Sequence, residues 1–127
     1  MSLPYTAWLP LKPPSMNSVY QILYHLRRVE MKPEVRQFKT QVKLYLPPPP
    51  NIPADLLLAI SLTYHDVWMT KEGKVRKLDL SNLEKVLLDA VCEHVGVDDS
   101  HIFKKESLKQ EGEKVGISIT ISGFISP

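Results

Sequence analysis

The residues best suited to chemistry in this sequence are carboxylates and lysines in its second half. Asp79 sits in Lys77-Leu78-Asp79-Leu80-Ser81, and Asp98 and Asp99 follow in Val97-Asp98-Asp99-Ser100. Carboxylates drawn together repel, a cation relieves that repulsion, and hard oxygen donors favour Mg²⁺ or Mn²⁺. Around them stand Lys71, Lys74, Arg76, Lys77, Lys85, Lys104 and Lys105, seven of the 16 lysines and arginines. An acidic pocket in a basic surround is what metal-assisted phosphodiester hydrolysis needs: acidic ligands hold the metal, and cations hold the phosphate backbone. The same residues also fit a plainer reading. Asp-Asp-Ser is ordinary turn chemistry, and Lys71 to Lys77 fits a solvated hairpin.

Other chemistries find no support. There is no Gly-rich phosphate loop, no Gly-x-Ser-x-Gly elbow and no His-x-x-x-His pair. His25, His65, His94 and His101 lack metal-ligand spacing and read as surface or rim residues. A length of 127 residues fits one domain over 1–127. The net charge of +2 excludes a histone-like polycation but leaves room for a local basic patch. The single cysteine, Cys92, excludes an intramolecular disulfide framework and a Cys-built zinc site. Met1 to Pro10 does not read as a signal peptide, and no stretch approaches the roughly 18 apolar residues of a membrane span. A soluble, intracellular protein is expected.

The elements that must position the carboxylates come from periodicity and punctuation. Leu3 to Leu11 reads as a strand stopped by Lys12-Pro13-Pro14, and Val19 to Met31 is compatible with a strand. Pro33 and Glu34 open a helix in which Val35, Phe38, Val42 and Leu46 share a face. The run Pro47 to Pro50 ends it as a stiff connection. Leu58, Ile60, Leu62, Tyr64 and Asp66 alternate within a strand spanning Leu56 to Thr70, followed by a turn at Lys71 to Lys74 and a short extended segment, Val75 to Leu80. Leu83, Val86, Leu87, Ala90 and Val91 mark a second helix, with Ser81 and Glu84 as a capping box and Gly96 as its end. Ile102 to Leu108 and Lys114 to Ile121 read as a hairpin joined at Glu111-Gly112. The fold class expected is α+β: a single mixed sheet with two main helices packed on it. A helix of about 14 residues is roughly 20 Å long. Asp79 and Asp99 can therefore meet only if residues 96 to 100 fold back along it, or across a symmetric dimer.

Lys77-Leu78-Asp79-Leu80-Ser81-Asn82-Leu83-Glu84-Lys85, then Leu88-Asp89-Ala90-Val91, then Val97-Asp98-Asp99-Ser100-His101-Ile102 resembles the RusA-type Holliday junction resolvases. That family's pattern is Asp-x-Asp-Asn-Leu-x-Lys, a helix with Asp-Ala-Leu, then Asp-Asp-x-x-Ile. Leu11-Lys12-Pro13-Pro14-Ser15-Met16-Asn17 is similar to its Pro-Pro-Ser-x-Asn turn, and Arg28 to Lys39 to its basic loop. The resemblance covers about residues 5 to 122. It implies a small homodimeric, Mg²⁺-dependent endonuclease that resolves four-way DNA junctions by paired nicks, in the cytoplasm of a bacterial or phage-infected cell.

By the same resemblance Asp79 is the first catalytic, metal-binding aspartate, Asp99 the essential aspartate after the helix with Asp98 its neighbour, and Lys85 the lysine required for cleavage. Lys12, Asn17, Arg27, Arg28, Lys71, Lys74, Arg76 and Lys77 are the candidate DNA contacts, the last four from the basic surround noted above. One position departs from the pattern: Ser81 stands where the family has its second aspartate. A serine ligates Mg²⁺ more weakly than a carboxylate and adds no charge. Asp66 or Asp89 could stand in, although Asp89 is also spaced to pair with Lys85. A junction-binding protein with weakened catalysis is the alternative this departure raises.

Overall fold

The computed structural model describes residues 3–12, 20–23, 28–76 and 80–124. In chain order the elements are β1 (Tyr5–Leu9), β2 (Tyr20–Leu23), β3 (Arg28–Met31), α1 (Pro33–Tyr45), β4 (Leu58–Asp66), α2 (Ser81–Val95), a 3₁₀ turn (Asp99–His101), β5 (Ile102–Glu111) and β6 (Gly116–Gly123). Four strands form one mixed sheet in the order β1-β6-β4-β5, and β2 pairs with β3 in a separate antiparallel ladder. The α+β class expected from the sequence holds. The stretch read as one possible strand, Val19 to Met31, contains the two strands of that small ladder.

β4 is the central strand. Its residues alternate in burial along its whole length, with Leu58, Ile60, Leu62 and Tyr64 facing the helices. β6 runs antiparallel on one side of it and β5 parallel on the other. β5 and β6 therefore do not form the hairpin read from the Glu111-Gly112 turn. The chain leaves β5, passes the end of β4, where the Gly112 N–H donates to the Asp66 carbonyl (3.0 Å), and returns as β6 beyond it. Two strand spacings amount to about 9.6 Å, which a connection of this kind spans easily. The charged composition of β5 fits its place at the edge, because solvated charges on both faces discourage further strand pairing.

A parallel pair needs a long crossover, and α2 is the helix in the one between β4 and β5. Leu83, Val86, Leu87, Ala90 and Val91 are all buried, as their spacing predicts. Burying a Leu or Val side chain stabilises by about 1.5–3 kcal/mol, so this stripe fixes which side of α2 meets the sheet. α1 lies beside α2. Val35 packs with Leu83 and Val86, while Phe38 and Val42 join the main core. Farther along, Lys39 (3.0 Å) and Lys43 pair with Glu93. The Pro47 carbonyl accepts from the Tyr5 hydroxyl (2.8 Å) and is 2.7 Å from Nε2 of His94, which ties the proline run to β1 and α2.

The capping box is not formed. Ser81 is the first helical residue, Leu80 occupies the cap position without a side-chain cap bond, and Glu84 turns to other partners described below. Gly96 does end α2, in the left-handed conformation at φ 77°.

Gly116 is required by close approach. A Cβ there would collide with the indole of Trp8 and come within 2.7 Å of the Leu9 carbonyl oxygen, a backbone atom that cannot swing aside. Gly116→Ala should destabilise the fold by about 1–3 kcal/mol, the usual cost of overpacking. Denaturant unfolding followed by tryptophan fluorescence measures this, and an unchanged midpoint would contradict the packing described.

Candidate active site

α2 has a second stripe, flanking its buried one. Ser81, Glu84, Lys85, Leu88 and Asp89 recur at i, i+3, i+4, i+7 and i+8 and face the side on which β5 runs. Gly96 lets the chain reverse after the helix. Its N–H and that of Val97 both donate to the Cys92 carbonyl (2.9 and 3.1 Å). The reversal is locked by Asp98, whose Oδ1 accepts from the Ser100 N–H (2.9 Å) and caps the 3₁₀ turn. This hydrogen bond holds the Asp98 carboxyl below its ordinary range. Its neighbour Asp99 is left to line a depression of about 570 Å³ together with Lys85, Leu88, Asp89, Ile102 and Lys105. The chain thus brings Asp99 into one depression with Lys85, while Asp79, whose meeting with Asp99 was the expectation, lies outside the described residues. Lys85 and Asp89 share the depression but form no ion pair among the described residues. Their spacing alone suggested one.

An adjoining depression of about 240 Å³ is lined by Tyr64, Leu80, Ser81, Glu84, Ser107, Leu108 and Lys109. The Glu84–Lys105 pair stands between the two, with Nζ 3.0 Å from Oε2. Glu84 is buried, and its carboxylate also accepts from the Tyr64 hydroxyl (3.0 Å) and from Ser107. Burial works to raise the Glu84 pKa, but the hydrogen bonds from Ser107, Lys105 and Tyr64, with the charge of Lys105, outweigh it and hold the group below its ordinary value. The Tyr64 hydroxyl is pushed up, first by burial and then by the Glu84 charge.

Asp66 lies elsewhere. It ends β4, about 26 Å from Leu58 at about 3.3 Å per residue, whereas Asp99 sits near the start of the strand paired with Leu58. Its carboxylate is buried, accepts from the Val67 N–H (2.7 Å), and pairs with Arg76 (3.4 Å) and Lys12 (3.8 Å). It belongs to the support of the loop after β4 and does not join Asp99. Glu111 supports the same loop, accepting from the N–H groups of Trp68 (2.6 Å) and Met69 (3.0 Å).

Of the residues read as DNA contacts, Lys71 and Lys74 are exposed on a tight turn that Gly73 (φ 80°) makes possible. Lys12 is exposed beside Asp66. Arg76 is largely committed, donating to the Val67 carbonyl (2.5 Å), pairing with Asp66 and lying 5.4 Å from the centre of the Trp68 ring. Arg28 lies in β3. Asn17, Arg27, Lys77 and Asp79 lie outside the described residues. Lys104, counted in the basic surround from sequence, turns to the opposite face of the sheet and pairs with Glu106 (3.3 Å).

A family model, Endodeoxyribonuclease RusA, matches residues 10–122. The chain belongs to the RusA endodeoxyribonuclease family. Comparison with curated proteins gives no match. Within this RusA-family chain, no three His, Cys, Asp or Glu residues are grouped as a metal site among the described residues. Asp89 and Asp99 nevertheless present hard oxygen donors to one depression, a donor type that suits Mg²⁺. Sequence reasoning missed Glu84 and Lys105 as a unit. The periodic signal was available, since Glu84 shares the Ser81–Lys85 face, but the pairing depends on the parallel register of β5.

The lowered pKa of Glu84 has a consequence for stability. A depressed carboxylate stabilises the fold above its unfolded pKa, near 4.5, and that contribution is lost as pH falls through the lower folded value. Glu84→Gln should flatten the fall in unfolding free energy below about pH 4.5 relative to the parent. Urea titrations across acid pH test this; superimposable pH profiles would contradict it.

Proposed function

We propose that this RusA-family protein is a Mg²⁺-dependent, structure-selective endonuclease that resolves four-way DNA junctions. The observation that carries this reading is the placement of Asp99 and Lys85 in one depression, because the resemblance assigns those two residues to cleavage. Asp79 and Asp99 would hold the cation, with Asp98 and Ser81 as further candidates and Asp89 positioned beside Asp99. A bound Mg²⁺, or Mn²⁺, supplies Lewis-acid charge compensation at the scissile phosphate. Lys85 supplies a positive charge one turn into α2, where it can meet a phosphate oxygen or the charge that develops during cleavage.

Binding comes mainly from backbone contacts by Lys12, Lys71, Lys74 and their neighbours, so affinity falls steeply with salt. The working form is a homodimer, because two equivalent nicks on a two-fold junction call for two equivalent sites. The chain is one domain and acts inside the cell. No helix among the described residues is long and apolar enough to cross a membrane.

Ser81 motivates a second reading, a junction-binding protein with weakened catalysis. It is exposed at the first position of α2 and brings a hydroxyl where the family has a carboxylate. Incubation with a synthetic four-way junction separates the two readings. The parent should cleave it with Mg²⁺ and not without. Asp79→Asn and Asp99→Asn should each lower cleavage by at least about 100-fold while binding as tightly or more tightly, since removing a carboxylate cannot weaken attraction to phosphate. Binding without cleavage at any Mg²⁺ concentration selects the second reading, and full activity in either variant rules out this site.

Dimerisation has its own measurement. Sedimentation at micromolar concentration should give the mass of two chains. A monomer that persists with junction added would exclude paired cleavage by a dimer.

A further inference from the structure

Two adjacent lysines on β5 have different surroundings. Strand alternation sends Lys104 to the helix-free face and Lys105 to the face over which α2 lies. Lys105 reaches the depression that holds Lys85 and Asp99, and its side chain remains about half exposed (47%). An exposed lysine ordinarily samples many rotamers, but this one is held at 3.0 Å by a carboxylate that is itself fixed. Glu84 is anchored on α2 and accepts from Tyr64 of β4 and Ser107 of β5. The three elements that build the crossover thus converge on one carboxylate, whose remaining interaction is with Lys105. An ammonium group has three donors, and the contact with Glu84 leaves others for a ligand in the depression.

We propose that Lys105 is a second phosphate-binding cation of the candidate site and that Glu84 is the positioning residue that holds it there, through the Glu84–Lys105 pair between the two depressions. This rests on the endonuclease reading above. A lysine fixed in advance loses less freedom when it meets a phosphate, so its contribution falls on the reaction as well as on binding. Glu84 carries a negative charge near the backbone and opposes DNA binding in general. Its value lies in orientation, and this separates its effect on turnover from its effect on affinity.

The experiment uses the full chain, a synthetic four-way junction and four variants: Lys105→Met, Lys105→Arg, Lys104→Met and Glu84→Gln. Binding is measured without divalent cation across a salt series, and cleavage with Mg²⁺ under saturating and subsaturating junction. Circular dichroism melts report the folded fraction of each variant. Lys105→Met should reduce the slope of log K against log salt by about one and lower kcat by about ten-fold. Lys104→Met, the same loss of charge on the opposite face, should keep the parental slope, and Lys105→Arg should keep it too. Glu84→Gln retains an acceptor for Tyr64 and Ser107 but loses the charge that holds Lys105. It should bind as tightly as the parent or tighter and turn over about three- to ten-fold more slowly, so that kcat falls while KM does not rise.

If the parent cleaves the junction and Lys105→Met keeps its salt slope, the phosphate contact is wrong and the endonuclease reading stands. A Glu84→Gln variant with parental kcat removes the positioning role. A parent that binds no branched DNA overturns the endonuclease reading and this inference with it.

Discussion

The parallel pairing of β4 with β5 is the constraint on which the rest of the structure depends. Two parallel strands cannot be joined by a tight turn, so the chain must travel back from the end of β4 before β5 can begin. α2 makes that journey, and its buried stripe sets its rotation against the sheet. Once rotation is set, Ser81, Glu84, Lys85, Leu88 and Asp89 have only one side to face. Gly96 then reverses the chain, and Asp99 returns beside the helix instead of continuing away from it. Residues separate in sequence share a depression because a crossover helix and its exit loop were required by the pairing itself.

Three carboxylates show how environment divides labour among identical groups. Asp66 is buried and engaged by Arg76, Lys12 and a backbone N–H, so it holds the loop after β4. Glu84 is buried and engaged by three side chains, so it holds β4, α2 and β5 at one point. Asp99 is exposed in a depression that it shares with two lysines. A carboxylate whose lone pairs are taken cannot readily accept a metal or face a substrate, whereas an exposed one at the rim of a depression can. Asp98 and Asp99, adjacent and both exposed, differ in that Asp98 uses one oxygen to cap the turn that presents Asp99.

Much of this was legible in the sequence, and what was not has a physical cause. Both helices announce themselves by apolar spacing, because burial on one side is a local property of a periodic segment. Gly96 is legible as a stop for the same reason. The partners of β5 were not legible. A turn between two strands looks the same whether they pair directly or are separated by a third strand, and the difference is made by β4, some fifty residues earlier in the chain. The charges along β5 did carry a sign of its edge position. The capping box failed by competition: Glu84 had the correct spacing from Ser81, but Tyr64, Ser107 and Lys105 offer it stronger donors than a backbone N–H at the helix start.

Ser81 sets the remaining electrostatic problem. Glu84, Asp89 and Asp99 stand with Lys85, Lys105 and Lys109 around the two depressions, a balance of charge in which a carboxylate at position 81 would add one more negative group. Such a group strengthens attraction for a divalent cation and repulsion for a phosphate at the same time. On the endonuclease reading, a serine there would repel DNA less and hold a cation less tightly than a carboxylate. The helix N-terminus adds to this, because its dipole favours anions and opposes cations at the first turn of α2. A site of this kind gains cation affinity most readily when the phosphate arrives with the metal and supplies the missing negative oxygen itself. On the endonuclease reading, the serine would shift the burden of metal binding from the protein toward the substrate, while leaving the helix, its rotation and the Asp99 return untouched.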